Sequence, residues 1–401
     1  MRVLDAFLRR MIKVGQLTVS FGDGAAHTYG DGTGPVVAAR LTASAARQLA
    51  LNPSLALGET YMNGELVLEQ GGIWELCELI GRNYPNQPAD RGGALKTLFD
   101  IAKKPIQQWN DAAAARRNVA HHYDLSHDLY TRFLDADMQY SCAYFARDDM
   151  TLEEAQAAKK AHIAAKLNLS PGMRVLDIGS GWGGLGLERA GKHDAKVTGV
   201  TLSTEQLDIA KGRAEAAGLA DAAKFSLTDY RDLTGTFDRI VSVGMFEHVG
   251  APNYRAFFDT IARLLEDDGV AVIHSIGRSK GPGATNAFTQ KYIFPGAAVP
   301  ALSEVTREVE RAGLWITDIE VLRIHYAKTL RCWRERFVAN WDAIADLYDV
   351  RFCRMWEYYL AAGELAFRYG GHMVFQIQLS KRVDALPITR DYIVDRERGG
   401  A

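Results

Sequence analysis

The segment that most constrains the fold is residues 175–184, Val-Leu-Asp-Ile-Gly-Ser-Gly-Trp-Gly-Gly, in which an apolar run ends in Asp-x-Gly-x-Gly-x-Gly. Glycines at 179, 181 and 183 permit a tight turn and let a ligand lie against bare backbone at the carboxyl end of a strand. A glycine turn can also serve strand–helix packing alone, but the strand–loop–helix context favours a ligand site. No acidic residue ends the next predicted strand, 199–203, where a dinucleotide site places Asp or Glu on the ribose. The pattern therefore counts against a nicotinamide cofactor.

Strands alternate with helices from residue 151 onward, which predicts a parallel sheet covered by helices on both faces. A last strand is predicted at 373–379, before a polar tail. The other predicted elements are strands at 173–178, 197–202, 237–244 and 270–276, with helices near 203–217 and 252–265.

The first 82 residues have a different pattern. Residues 15–40 alternate apolar positions with Gly and Thr, which predicts short strands, and residues 41–82 are more helical. Residues 1–13 predict an amphipathic helix, because Asp5, Arg9 and other charges interrupt the apolar positions.

A polar, Pro- and Gly-rich stretch at 83–93 has the composition of a domain boundary. We therefore predict an accessory α+β domain over 1–90, a linker and helical arm over 91–150, and an α/β domain over 151–401. Within the last, residues 325–369 predict a helical insertion rich in Trp, Tyr, Phe and Arg.

The charge balance excludes a protein drawn as a whole to nucleic acid, since 47 Lys and Arg face 49 Asp and Glu for a net charge of -2. The four cysteines are widely spaced, without a CxxC pair, which predicts a reducing, cytoplasmic compartment and no metal site. No stretch approaches the roughly 20 apolar residues that span a bilayer, so any membrane contact is predicted to be peripheral.

Several segments together resemble the cyclopropane-fatty-acyl-phospholipid synthases, a family of class I S-adenosylmethionine-dependent methyltransferases. The likeness is close over about residues 120–380 and looser over the first domain, through Leu-Gly-Glu-Thr-Tyr-Met-Asn-Gly at 57–64. It implies a Rossmann-like, doubly wound, mostly parallel sheet of seven strands. The most specific segments are Gln-Tyr-Ser-Cys at 139–142 and Gly-Met-Phe-Glu-His at 244–248, and the others lie at 121–125, 179–184, 199–203, 229–233, 274–277 and 291–295.

The resemblance implies the residues that hold S-adenosyl-L-methionine. The glycines would face its methionine end, Tyr140 and Ser141 would close over it from the preceding arm, and Tyr230 and Arg231 would flank the adenine. The implied cofactor residues are Tyr140, Ser141, Asp177, Gly179, Gly181, Gly183, Thr201, Leu202, Gln206, Tyr230 and Arg231.

The resemblance also implies the chemistry: a methyl group from the cofactor is added to a cis double bond of a phospholipid acyl chain, and the resulting carbocation closes to a cyclopropane on losing a proton. Such a reaction needs aromatic faces, exclusion of water and a base. In the family that base is a bound bicarbonate ion. The catalytic residues implied to hold it here are Cys142, Glu247, His274 and Tyr326, with the backbone of Ile276.

Each of these four side chains also has a purely structural interpretation. Glu247 would cap a turn, His274 would be a satisfied core histidine, Cys142 a small buried hydrophobe and Tyr326 a packing residue. The position of Glu247 after a strand favours a site role. His121 and His122 are adjacent without a third ligand nearby, so we expect them to be structural.

One position departs from the family. Many relatives carry cysteine in the segment that matches residues 358–368, where this chain has Gly363. Methyl transfer to an alkene requires no protein nucleophile, so we interpret Gly363 as a matter of pocket shape.

Two other functions stay open at this point. An enzyme on the same scaffold would lose a different proton and give methylene- or methyl-branched chains, and a decayed methyltransferase domain would only bind lipid. The implied partners are unsaturated phospholipid of the bilayer, at the inner face of the membrane, and a second copy in a homodimer, with no nucleic acid. Two segments of local charge +4, 91–119 and 323–336, would face anionic lipid or would be ordinary solvated faces.

Overall fold

The computed structural model describes residues 2–22, 24, 26–83 and 125–399. Packing contacts divide the chain into two compact units. The first unit contains the described residues up to 83, with Thr285–Pro295 and Tyr326–His372; the second contains the rest. The domain boundaries predicted at 90 and 150 stay predictions. Residues 84–93, His121, His122 and the basic segment 91–119 lie outside the described residues.

The first unit contains a four-stranded sheet in the order β2-β1-β3-β4. Strand β1 pairs antiparallel with β2 and parallel with β3, and its residues Leu17, Val19 and Phe21 point into the core. The strands predicted within 15–40 are confirmed, whereas β4 falls in the stretch predicted to be helical. It is only five residues long, between Gly64 and Gly71, and pairing with β3 stabilises it. The strands are β1 Gln16–Phe21, β2 His27–Gly30, β3 Val36–Leu41 and β4 Leu66–Gln70.

Helices complete this unit. The predicted amphipathic helix is confirmed as Arg2–Met11, which buries Leu4, Leu8 and Met11. The predicted helical insertion consists of three helices, and its Trp333 and Trp356 are almost completely buried. The helices are Arg2–Met11, Ala43–Leu51, Pro53–Met62, Ile73–Arg82, His325–Ala339, Trp341–Leu347 and Val350–Arg368, with a π-helical turn at Thr289–Ile293.

The second unit contains a seven-stranded sheet in the order β10-β11-β9-β8-β5-β6-β7. Strands β7, β6, β5, β8 and β9 pair in parallel, and β10 pairs antiparallel with β11. This confirms the predicted doubly wound, mostly parallel α/β sheet. The strands are β5 Arg174–Ile178, β6 Lys196–Thr201, β7 Ala223–Leu227, β8 Phe237–Val243, β9 Leu265–Arg278, β10 Trp315–Val321 and β11 His372–Ser380.

Successive residues of the central strands enter two separate cores, because side chains alternate across a strand. Val175 and Val241 pack on one face, and Leu176 and Ile240 on the other. Burial on both faces gives these strands the apolar runs from which they could be predicted. The helices that cover the sheet or join its strands are His127–Thr131, Leu152–Leu167, Gly184–His193, Thr204–Ala216, Tyr254–Leu264, Leu302–Arg311 and Asp391–Glu397.

Two features of this unit differ from the prediction. Strands β7 and β10 are not among the predicted strands. They lie at the two edges of the sheet, so their residues are less completely buried and show no long apolar run. The predicted polar tail contains the helix Asp391–Glu397. Across both units, the described helices include none with the length and apolar character needed to cross a bilayer.

Candidate functional site

The glycine loop joins β5 to the helix Gly184–His193 at the carboxyl edge of the sheet. Gly179, Gly181 and Gly183 have φ angles of +82°, +54° and +82°, which side chains with a Cβ adopt only at a cost. The N–H groups of Gly179 and Ser180 both donate to Val200 O, at 2.9 and 3.0 Å, which ties the loop to β6. A Cβ on Gly179 would lie 2.8 Å from Met245 Cβ, so the loop has no room for one.

A pocket opens beside this loop. Its walls come from the ends of β5, β6, β7 and β8 and from the arm before the helix Leu152–Leu167. Gly183 is the one predicted cofactor residue outside the lining, and a Cβ there would lie 3.0 Å from both Ala210 Cβ and Phe225 Cζ. The predicted residues that line the pocket are Tyr140, Ser141, Asp177, Gly179, Gly181, Thr201, Leu202, Gln206, Tyr230 and Arg231.

Hydrogen bonds hold the β6 and β7 sides of the pocket. Thr201 Oγ1 donates to Gln206 Oε1 at 3.1 Å. The Asp229 carboxylate accepts from the Arg231 backbone N–H at 3.0 Å and from its guanidinium at 2.9 and 2.6 Å. Arg231 is therefore held in place by Asp229, and its guanidinium lies 5.7 Å from the centre of the Tyr230 ring.

Asp177 lies one residue before the end of β5, just ahead of the glycine loop in the chain. Its carboxyl is almost completely buried, and its Oδ2 has no hydrogen-bond partner among the described residues. Burial raises the pKa of Asp177 to about 7, against the opposing charges of Arg189 and Lys159. A buried polar atom without a partner carries a desolvation cost. This open acceptor and the bare backbone at Gly179 fit a ligand with polar donors, as S-adenosyl-L-methionine has.

Glu247 lies in the turn Phe246–His248, just after β8. Its Oε1 accepts from the backbone N–H of Ile276 on β9 at 2.6 Å, and its Oε2 has no partner among the described residues. Burial raises the pKa of Glu247 to about 7. The structure therefore brings together two of the predicted bicarbonate residues, and it gives one of them a carboxyl that changes protonation near neutral pH.

His274 also lies on β9 and is buried. Gln376 Nε2 on β11 lies 3.1 Å from its Nδ1, which leaves Nε2 to carry the ring proton when the amide donates. Burial first, and then the nearby Lys159, Lys166 and His162, hold the pKa of His274 well below its usual range. The ring is therefore neutral.

Cys142 and Tyr326 are placed in different units. Cys142 is buried in the second unit, and its Sγ donates to the carbonyl of Ala143 at 3.4 Å. Tyr326 belongs to the first unit, where its ring packs edge-on against Trp333 and Phe367. The roles of Cys142 and Tyr326 stay predictions, as do those of Glu247, His274 and Ile276.

Sequence reasoning missed several residues of this region. Gln139 and Trp182 line the pocket and lie inside segments that carried the resemblance, so their neighbours pointed to them. Tyr130 packs against both Tyr140 and Trp182, with ring centres 5.3 and 5.1 Å apart. No local sequence pattern marks Tyr130 or Gln376, because only the folding of distant segments brings each of them to the site.

Gly363 lies within the helix Val350–Arg368. A Cβ there would approach only Leu330, at 3.4 and 3.8 Å, which is ordinary van der Waals contact. Glycine inside a helix costs up to about 1 kcal/mol relative to residues with a side chain. We therefore expect Gly363→Cys to keep turnover within about two-fold of wild type and to raise the melting temperature slightly, by calorimetry. A large loss of turnover would show that this position shapes the site directly.

Two family models match the chain. The model for mycolic acid cyclopropane synthetase matches residues 110–377, and a model described as a domain of unknown function matches residues 3–88. Every predicted site residue lies within the first of these spans.

Known proteins match most of the chain. The chain is 40% identical over 331 residues to the cyclopropane-fatty-acyl-phospholipid synthase of Escherichia coli K12, an alignment that covers 82% of this chain and 84% of that protein. It is 36% identical over 400 residues to a tuberculostearic acid methyltransferase of Mycobacterium tuberculosis, which covers 93% and 90% of the two chains.

Solved structures agree with these matches. A cyclopropane synthase of Mycobacterium tuberculosis superimposes with a TM-score of 0.64 at 33% identity, covering 66% of this chain and 98% of that one. A mycolic acid cyclopropane synthase in complex with SAH and CTAB gives a TM-score of 0.63 at 35% identity, over 66% and 97% of the chains.

Proposed function

We propose, because this chain belongs to the mycolic acid cyclopropane synthetase family, that it converts the cis double bond of an unsaturated phospholipid acyl chain into a cyclopropane. The chain is an S-adenosylmethionine-dependent methyltransferase. The observation that carries the finer proposal is the buried, half-satisfied carboxyl of Glu247, hydrogen-bonded to Ile276 at the edge of the sheet where the glycine loop also lies.

The pocket beside the glycine loop would hold S-adenosyl-L-methionine, which supplies an electrophilic methyl group when bound. Asp177 and the loop would receive its methionine end, Thr201 and Gln206 its ribose, and Tyr230 its adenine. The arm that carries Tyr140 and Ser141 would exclude water from the reacting carbon, which a carbocation requires. Gly183 would act on this pocket indirectly, since a side chain there would meet Ala210 and Phe225 and force the loop to shift.

Bicarbonate would lie near Glu247, where it would supply a base for the final proton loss. Glu247 fits as a residue that holds bicarbonate, because its Oε2 has no partner among the described residues and its carboxyl changes protonation near neutral pH. His274 fits because its neutral ring has a nitrogen left over from the Gln376 contact. The backbone of Ile276, the Cys142 thiol and Tyr326 complete the proposed set, the last of them on the resemblance alone.

A methyl- or methylene-branched product is the second candidate. It is favoured by the match to the tuberculostearic acid methyltransferase, which covers more of the chain than the match to the Escherichia coli enzyme does. Both candidates share the same first step. Proton loss with ring closure gives the cyclopropane, and proton loss without ring closure gives a methylene-branched or methyl-branched alkene.

The two products can be separated by proton NMR. Purified protein is incubated with S-adenosylmethionine, bicarbonate and vesicles of a dioleoyl phospholipid, and the extracted lipid is examined. We expect upfield cyclopropane signals, and no product from vesicles of a saturated phospholipid. Vinylic methylene signals would reject the cyclopropane in favour of the branched product. Absence of any modified lipid, from a protein that binds the cofactor, would favour the decayed lipid-binding protein.

Peripheral attachment to the inner face of the membrane and a homodimer remain part of this proposal. Attachment is supported by the helix Arg2–Met11, which exposes Val3 and Phe7 beside its arginines. The segment 323–336 supports it less, because Arg331 pairs with Glu364 and lies over the ring of Trp74. The homodimer is proposed on the resemblance alone, and sedimentation equilibrium would test it.

A further inference from the structure

The helix Leu152–Leu167 presents two buried polar side chains to the arm that lines the pocket. Gln156 and Lys159 are three residues apart and therefore lie on one face of the helix, and their exposed fractions are 1% and 0%. Polar side chains of this length are rarely buried so completely unless they have specific partners.

Both side chains bind the same two residues of the arm. Gln156 Nε2 donates to the backbone carbonyls of Gln139 and Ser141, at 3.1 and 3.0 Å. Lys159 Nζ donates to Gln139 Oε1 at 2.6 Å and to Ser141 Oγ at 2.8 Å. Gln139, Tyr140 and Ser141 all line the pocket, so these four bonds hold one wall of it.

The ammonium of Lys159 makes this arrangement costly. The two acceptors of its hydrogen bonds are neutral, and removing a charge from water costs several kcal/mol that neutral acceptors offset only in part. An apolar side chain would fill the same space at lower cost. Stability of the core alone therefore gives no reason for a lysine here, whereas the position of the arm does.

We propose that Lys159 is a positioning residue for cofactor binding, which holds Gln139 and Ser141 so that Tyr140 and Ser141 form the wall of the pocket. The proposal rests on the assignment of this pocket to S-adenosylmethionine and is independent of which lipid product forms. It assigns to Lys159 no contact with the reacting atoms.

Charged groups on several elements surround Lys159. Asp135 and Asp137 of the arm and the Cys142 thiol favour its charge, and Lys160 on its own helix opposes it. The charge of Lys159 acts in turn on Asp177 of β5 and His274 of β9.

Burial has the largest effect on the pKa of Lys159 and lowers it to about 8. The ammonium is therefore present below pH 8 and is lost above it, and the donor to the arm weakens as the pH rises.

Calorimetric titration with S-adenosylmethionine tests the proposal. We expect Lys159→Met to weaken binding at least ten-fold and Lys159→Arg to keep it within three-fold. Lys211 is exposed, so Lys211→Met is the matched control and should leave binding unchanged.

The pH dependence of binding is a second test. The amino group of the cofactor itself titrates near pH 8, so wild type must be compared with a variant that keeps its charge. Wild type should therefore lose more affinity than Lys159→Arg between pH 7 and pH 9, since the guanidinium stays charged.

A purely structural role would give a different result. Lys159→Met would then melt at a lower temperature, yet bind the cofactor within two-fold of wild type, and that outcome overturns the proposal. If Lys159→Met does not fold, Gln156→Leu removes the other pair of bonds to the arm and should also weaken binding, by at least three-fold. Unchanged binding in Gln156→Leu, together with equal pH dependence in wild type and Lys159→Arg, would also overturn it. Weak binding by wild type itself would instead count against the pocket assignment.

Discussion

Replacing Glu247 by glutamine is expected to lower turnover at least 100-fold while leaving the affinity for S-adenosylmethionine within about two-fold of wild type. Glutamine has the shape of glutamate, and its amide oxygen can still accept from the Ile276 N–H that Oε1 accepts at 2.6 Å. It cannot take up or release a proton. The loss of rate would therefore report that the reaction needs an ionisable carboxyl beside the bicarbonate site, and radiolabel transfer from the cofactor to lipid measures it.

The stability of this variant provides a check on folding. Burial raises the folded-state pKa of Glu247 to about 7, above its ordinary value of roughly 4.3. Wild type therefore loses stability as the pH rises from the ordinary pKa through 7, because the folded protein holds a proton that the unfolded chain releases. The amide carries no such penalty, so Glu247→Gln should melt at a higher temperature than wild type at pH 8.

Glu308→Gln is the matched control. Glu308 is also buried, but it lies on the helix Leu302–Arg311 and pairs with Arg307 and Arg311. We expect it to lower the melting temperature and to leave turnover nearly unchanged. If Glu247→Gln retained more than a tenth of the activity while Gly363→Cys lost it, the assignment of the catalytic groups would be wrong.

The central strands could be predicted from the sequence because burial on both faces leaves a continuous apolar run, as in 270–276. Strands β7 and β10 could not, since an edge strand is covered less and its residues alternate with exposed ones. Strand β4 was not predicted for another reason. Its five residues follow helices, and pairing with β3 stabilises them as a strand.

The residues of the site also divide into those that the sequence could predict and those that it could not. The glycines and Glu247 follow strands, and Asp177 is the last residue but one of β5, so the rule that ligands bind at the carboxyl ends of parallel strands locates them. Gln376 and Lys159 act across 102 and 20 residues of chain, on His274 and Gln139 respectively. No local pattern carries such a pairing. It exists only once β9 lies in one sheet with β11, and once the arm lies on the helix Leu152–Leu167.

Gly179→Ala is expected to weaken cofactor binding at least ten-fold, and Gly172→Ala shows how much of that loss is backbone strain. The two glycines have φ angles of +82° and +81°, so alanine is strained equally at both, by about 1–2 kcal/mol. They differ in their surroundings. A Cβ at 179 would lie 2.8 and 2.9 Å from Met245 Cβ and Cγ in the pocket wall, whereas at 172 nothing lies within 4 Å.

Both variants should therefore unfold at lower denaturant concentrations than wild type, Gly179→Ala more so, and only Gly179→Ala should lose affinity in calorimetric titration with S-adenosylmethionine. Relief of the clash requires Met245 or the loop to move, and both line the pocket. Equal affinities in the two variants would mean that the loop can shift without consequence for the ligand. The close approach of bare backbone to the cofactor, on which the assignment of the glycine loop depends, would then be wrong.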